Sequence, residues 1–322
     1  MRKWLIGFDI GGTKCAAILG KVEAENFFVV QKTVFATQNY PDPLNCIEKF
    51  SDEIKKILEI HPEAQPEAIG ISCGGPLDSK KGIIMSPPNL PGWDDVHICK
   101  ILEEKFHLPV KLCNDADACA LAEWKFGAGR GYSNLVFYTF GTGFGAGLIL
   151  DGRLYAGTND NAGEVGHIRL NDYGPVGYGK SGSFEGFCSG GGIRQLAISK
   201  AKERLQMGLP VSWCPDGNVE SINARIVAEA AREGDELALG IYRDSALQLG
   251  RGLAFLIDIL NPERIVIGSI YTRCEDLMAP FVAEVLEREA LPLANAVCQV
   301  VPAALGEAIG DYAALSVAAA IE

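Results

Sequence analysis

Two glycine-rich turns and a handful of acids carry the chemistry this chain could do. The apolar run WLIGFDI ends in Asp9 and Ile10, followed at once by Gly11, Gly12, Thr13 and Lys14. A second apolar run, NLVFYTF, ends in Gly141, Thr142, Gly143, Phe144 and Gly145. Glycines let a backbone turn with positive φ and approach a ligand closely, while amides and a threonine hydroxyl donate to anionic oxygens. Dinucleotide-binding and Walker loops need a helix directly after their glycines. Here the chain instead returns as short apolar segments, TKCAAIL and AGLILDG, so both turns read as strand–turn–strand. Either alone is equally a plain hairpin; two in matched positions favour phosphate binding. Asp9 adds an acid at the end of a buried strand, where an uncompensated carboxylate is costly. A magnesium ion escorting nucleotide phosphates, held through water, would compensate it, as would capping of turn amides. The second turn has Thr139 at the matching place, so only the first supplies an acid.

Asn114 and Asp115 follow the short strand VKLC and precede a helical run, ADACALAEWKFG. Asp115 suits a helix N-cap, but strand ends in α/β sheets are also where ligands lie. In the second role Asp115 would take the proton from an attacking hydroxyl, and Asn114 would hold a neighbouring one. Glu164 and His167, three apart in GEVGHIRL, and Glu185 complete the polar set. One motif competes with this reading. Gly174 to Ser181 spells GPVGYGKS, a letter-for-letter Walker A pattern. A true Walker loop needs a buried strand before it and a long helix after it. The flanks are the half-polar IRLNDY and the glycine-broken SFEGFCSGGG, so the match is expected to be coincidental.

The elements that must position these residues divide into two halves. After three extended runs, the periodicity predicts a helix over 44–59, a buried strand AIGISC, a helix over 96–106, the strand VKLC and the helix after Asp115. FDIGGTKCAAILG and YTFGTGFGAGLILDG share one layout about 130 residues apart, a weak internal repeat that implies two related lobes. Beyond it come a long helix over 237–260, the strand RIVIG and a closing helix in the alanine-rich tail. The expected division is a smaller lobe of residues 1–115 with about 305–322, and a larger lobe of 116–304. A net charge of −12 argues against nucleic acid as a partner. No apolar run is long enough to span a bilayer. Asp9 interrupts the N-terminal apolar stretch too early for a secretion signal. Ten scattered cysteines without a CxxC pair indicate reduced thiols and a cytoplasmic location. The four histidines form no metal-like spacing.

Taken together, FDIGGTK, CGGPLD, PNLPGW, NDADACALAEW, FGTGFGAGLILDG, GEVGHI, FEGFCSG and LNPERIVIGS resemble the ROK family of sugar kinases and sugar-responsive repressors. They run in family order from residue 8 to about 268, nearly the whole chain. The resemblance implies an α/β, two-lobed actin/hexokinase-like (ribonuclease H-like) fold of duplicated domains with an interlobe cleft, commonly as a homodimer. It implies ATP phosphates on Gly11, Gly12, Thr13, Lys14, Gly141, Thr142 and Gly143, with Gly268 also on the nucleotide side and Asp9 toward Mg²⁺. Sugar hydroxyls would fall to Gly75, Asn89, Asn114, Glu164, His167 and Glu185, with Asp115 as the base on the 6-hydroxyl. Family repressors carry a DNA-binding module ahead of the first phosphate loop. That loop begins at residue 9 here, which points to the kinase branch.

The resemblance breaks at one element. The family follows GExGH with CxCGxxGCxE, whose three cysteines and the histidine hold structural zinc. Aligned on Glu185, those cysteine positions hold Val176, Tyr178 and Ser183, so no zinc is expected. The nucleotide-side turn also reads GSIY where the family often has two glycines. The leading expectation is phosphoryl transfer from Mg-ATP to a hexose, glucose first. N-acetylmannosamine, N-acetylglucosamine and fructose are the alternative acceptors, and a non-catalytic sugar sensor of the same fold is the rival class. Retention of both Asp9 and Asp115 favours the enzyme.

Overall fold

The computed structural model describes residues 2–23 and 26–321. The chain divides into two compact units, Met1–Gly131 with Gly147–Ala162 and Ala304–Glu322, and Tyr132–Ala146 with Gly163–Ala303.

The first unit is built on a five-stranded sheet. Strands β1 (Arg2–Ile10), β2 (Lys14–Glu23) and β3 (Asn26–Ala36) form an antiparallel meander. Helix α1 (Pro43–Ile60) then leads to β4 (Pro66–Cys73), which pairs parallel to β1. A small hairpin, β5 (Leu77–Asp78) and β6 (Ile83–Ile84), and helix α2 (Ile98–Phe106) precede β7 (Val110–Asn114), parallel to β4. The strand order is β3-β2-β1-β4-β7. Alternation along β1 sends Trp4, Ile6, Phe8 and Ile10 into one core with Phe50, Ile54 and Leu102 from α1 and α2. Leu5 points the other way, into a core with Ala314, Leu315 and Ala318 of the C-terminal helix Ile309–Ala319. That helix lies very close to the sheet: a Cβ on Gly70 would stand 2.1 Å from the Ala314 carbonyl oxygen. Helix α3 (Asp115–Phe126) packs against the C-terminal helix and belongs to this unit, whereas the sequence pattern suggested that the other lobe begins at residue 116.

The second sheet repeats the pattern. Strands β8 (Leu135–Phe140) and β9 (Phe144–Leu150) flank the second glycine turn, β10 (Arg153–Leu154) pairs antiparallel to β9, and β13 (Arg264–Ile267) and β14 (Gln299–Pro302) add parallel to β8. Its order, β10-β9-β8-β13-β14, is that of the first sheet. From Gly147 the end of β9, with β10, groups with the first unit. The second unit is otherwise mostly helical. It holds α4 (Phe184–Phe187), α5 (Gly190–Gln206), α6 (Ala224–Arg232), α7 (Glu236–Leu260), α8 (Ile270–Glu289) and α9 (Pro292–Val297). The hairpin of β11 (Val176–Gly177) and β12 (Lys180–Ser181) lies ahead of α4. No helix among the described residues is long and apolar enough to cross a membrane. None of the ten cysteines is in a disulfide.

Candidate active site

In the first unit the parallel strands end side by side. Asp9 pairs with Ser72, Ile10 with Cys73, and Cys73 with Asn114. The residues just beyond these positions therefore gather at the carboxyl edge of the sheet, where open α/β sheets bind ligands. Gly11 closes a tight turn, its amide donating to the Lys14 carbonyl at 3.1 Å. Thr37 braces that turn through its hydroxyl, which donates to the Gly11 carbonyl at 2.6 Å. Gly12 has no room for a side chain, since a Cβ there would stand 2.7 Å from the Asn89 carbonyl oxygen. The structure thus sets Asn89, expected at the sugar, directly against the first glycine turn. Gly74 and Gly75 leave β4 beside the second acid. A Cβ on Gly75 would lie 3.3 Å from Asn114 Nδ2, and one on Gly74 3.8 Å from Asp115 Oδ2.

Asn114 caps α3, its side chain accepting from the Ala116 amide at 3.0 Å. Asp115 Oδ1 accepts from the same amide at 2.8 Å. Capping and ligand-facing roles are therefore compatible: one oxygen is tied to the helix and Oδ2 is turned toward Gly74. The carboxylate reaches solvent while protein crowds it. That partial desolvation raises its pKa above the usual aspartate range, against the lowering effect of the backbone donors. Asp9 is pushed up to about 7, chiefly by burial, then by repulsion from Asp311 and Asp115, with Lys32 and Lys14 opposing. A carboxylate so perturbed is the environment a cation would relieve.

In the second unit Phe144 ties the second glycine turn to Glu185 and Gly166. Its amide donates to Glu185 Oε2 at 3.1 Å, and a Cβ on Gly143 would stand 3.0 Å from that same oxygen. The 3-10 turn Val165–His167 sits on the same strand, with a Cβ on Gly166 2.2 Å from the Phe144 carbonyl and 3.3 Å from Glu185 Cβ. Glu164 and His167 flank this turn, both exposed. Thr139, the counterpart of Asp9, is bound locally, accepting from the Gly145 amide at 3.0 Å. Gly141 lies near Ser269, which follows Gly268 and takes φ +54°, a conformation a glycine would hold without strain.

The Walker-like letters form the β11–β12 hairpin, and Lys180 Nζ donates to the His167 carbonyl at 2.7 Å. The residues here do not fit a thiolate zinc centre. Val176 has no donor, and the Ser183 hydroxyl caps α4 by accepting from the Gly186 amide at 3.0 Å.

Sequence reasoning missed three neighbours of these candidates. Asp311 neighbours Asp9 from the C-terminal helix and pairs with Lys32 at 2.6 Å. Gly310 lies against Asp9 Oδ2, 3.0 Å from where its Cβ would be. Gly190, at the start of α5, donates to the Gly141 carbonyl at 2.8 Å. The last had a local signal, the cap-and-glycine run SGGG; the other two had none.

Two sheets of one strand order, each with a glycine turn after its first strand, define the two-lobed actin/hexokinase-like α/β class. The chain belongs to the ROK family, whose pattern matches residues 5–320. It is 32% identical to a glucokinase of Halalkalibacterium halodurans, over 90% of this chain and 87% of that one. It is 31% identical to a xylose repressor of Caldicellulosiruptor bescii, over 82% of this chain and 65% of the repressor. Among solved structures, a ROK family glucokinase from Streptomyces griseus, in complex with glucose and AMPPNP, superposes with a TM-score of 0.74. It shares 30% identity over 98% of this chain and 99% of that one. Kinases and repressors thus both stand among its relatives.

Proposed function

We propose that this protein is an ATP-dependent hexose kinase that moves the γ-phosphoryl group of Mg-ATP to the 6-hydroxyl of a sugar, glucose foremost. The observation that carries the reading is Asp115: a carboxylate at the carboxyl edge of three parallel strands, pKa raised, with one oxygen anchored and the other open. A base so held accepts the proton of the attacking hydroxyl, worth on the order of 10²–10⁴ in rate. Positioning and charge neutralisation supply most of the rest. The two glycine turns and Lys14 hold the phosphates, with Gly268 on the nucleotide side and Asp9 facing Mg²⁺ through water. Gly75, Asn89, Asn114, Glu164, His167 and Glu185 hold the sugar hydroxyls. The similarity to glucokinases over most of their length supports glucose as first acceptor. The working form is a cytoplasmic homodimer.

The repressor relative favours one second reading, a sugar sensor without turnover. A coupled assay of ADP release with Mg-ATP, across glucose, fructose, N-acetylglucosamine and N-acetylmannosamine, separates the two. Turnover with one or two sugars, reduced about 10²–10⁴-fold in Asp115→Asn, is the expected result. A folded protein that binds a sugar but turns over none would establish the sensor instead.

A further inference from the structure

The hairpin that stands where the family carries its zinc element lies between two of the candidate sugar residues, His167 and Glu185. Beyond Lys180, which holds the His167 carbonyl, Arg169 Nη1 donates to the Ser181 carbonyl at 2.7 Å. The Leu170 and Asn171 amides both donate to the Gly182 carbonyl, and the Phe184 amide donates to the Ile168 carbonyl at 2.8 Å. The stretch following His167 is therefore joined, bond by bond, to the strand that leads into Glu185. Gly177 presses on Glu185 itself: a Cβ there would stand 2.8 Å from Glu185 Cβ and 2.6 Å from the Gly186 amide nitrogen. From outside, Gln195 of α5 pins the hairpin by a reciprocal pair, accepting from the Val176 amide at 2.9 Å and donating to its carbonyl at 2.8 Å.

Tyr178 occupies the turn of this hairpin. Its backbone sits at φ +43°, in the left-handed region where a bulky side chain is uncommon. Its ring meets the His167 imidazole edge-on, centroids 6.3 Å apart at 76°. That is a favourable aromatic geometry. The ring is otherwise 76% exposed, so no core requires it.

We propose that this hairpin replaces a metal as the scaffold of the sugar-binding face, and that Tyr178 is the positioning residue that orients the His167 ring. The inference rests on the reading of His167 as a sugar-hydroxyl ligand, and its test has one arm independent of that reading. Proton NMR of the histidine ring resonances, with His167 assigned by its loss in His167→Gln, reads the ring current of Tyr178 directly. In Tyr178→Ala the His167 resonances move, and in Tyr178→Phe, which keeps the ring and drops the hydroxyl, they stay near the wild-type positions. The second arm is kinetic. Tyr178→Ala raises the KM of the accepted sugar about tenfold, the size of one net hydrogen bond. The KM for ATP and kcat stay within about twofold, and Tyr178→Phe restores the sugar KM. Unmoved His167 resonances in Tyr178→Ala overturn the proposal, whatever the protein's activity. So does a stoichiometric zinc ion, found by elemental analysis, whose removal shifts those resonances. If the resonances move but no sugar is phosphorylated, the kinase reading fails. The positioning role then stands only if Tyr178→Ala weakens binding of glucose, by calorimetry, about tenfold and Tyr178→Phe restores it; unchanged binding overturns it.

Discussion

At the scale of single residues, Asp9 shows what burial beside other acids costs a carboxylate. Its pKa in the fold, about 7, lies above the ordinary value of 3.8. Between those values the folded chain binds more protons than the unfolded one. The contribution of Asp9 to stability is therefore full below about pH 4 and is lost as pH rises through 7. In nucleotide-free protein, Asp9→Asn should melt close to wild type near pH 4 and several degrees above it at pH 8. An equal difference at both pH values would mean that the carboxylate is not strained by its surroundings. Asp9 and Asp115 were legible in the sequence because each ends an apolar strand beside glycine or asparagine, where a charge has no packing reason to be. Asp311 was not. An aspartate in an alanine-rich tail looks like a surface residue, and only tertiary packing brings it to Asp9.

At the scale of elements, the contest between a motif and its context was decided by the flanking chain rather than by the letters. GPVGYGKS has the Walker spelling, yet with no long helix behind it the backbone closes into a hairpin whose lysine serves a neighbouring carbonyl. The strand–turn–strand reading of both glycine turns rested on the same criterion, and the structure has a returning strand after each. Amphipathic helices were legible to within a few residues: 44–59 was expected where α1 runs Pro43–Ile60. Less legible was the closeness of the C-terminal helix, because a glycine inside a strand does not say what approaches it. Gly70 is the tightest such point. A methyl group would stand 2.1 Å from the Ala314 carbonyl oxygen and 2.3 Å from the Ala318 nitrogen, both backbone atoms that cannot swing aside. Gly70→Ala should cost about 1–3 kcal/mol through overpacking, measured as a lower urea midpoint at unchanged slope. A neutral substitution would show that the helix is free to lift off the sheet.

At the scale of the whole molecule, the duplicated strand order was foreshadowed by two short look-alike segments, FDIGGTKCAAILG and YTFGTGFGAGLILDG. The path of the chain through the units was harder to see. Composition does not change at Gly131 or Ala304, and α3 is assigned by its packing partners rather than by its sequence. The first unit takes its second core from the final helix, with Leu5, Ile18 and Ala68 buried against Ala314, Leu315 and Ala318. A chain ended at Leu305 should uncover that face. We expect strong binding of a hydrophobic dye and loss of near-ultraviolet circular dichroism from the first unit's aromatic residues. Native spectra in the truncated chain would assign the helix a peripheral role.

The same discontinuity sets an order of events at the ribosome. Residues 132–303, apart from the short excursion 147–162, complete the second unit before the segment that closes the first has been made. Domains fold as they emerge, and an unfinished one exposes apolar surface meanwhile. The half translated first is thus the half finished last, and through that interval the outer face of its sheet is the part of the nascent chain most in need of a chaperone.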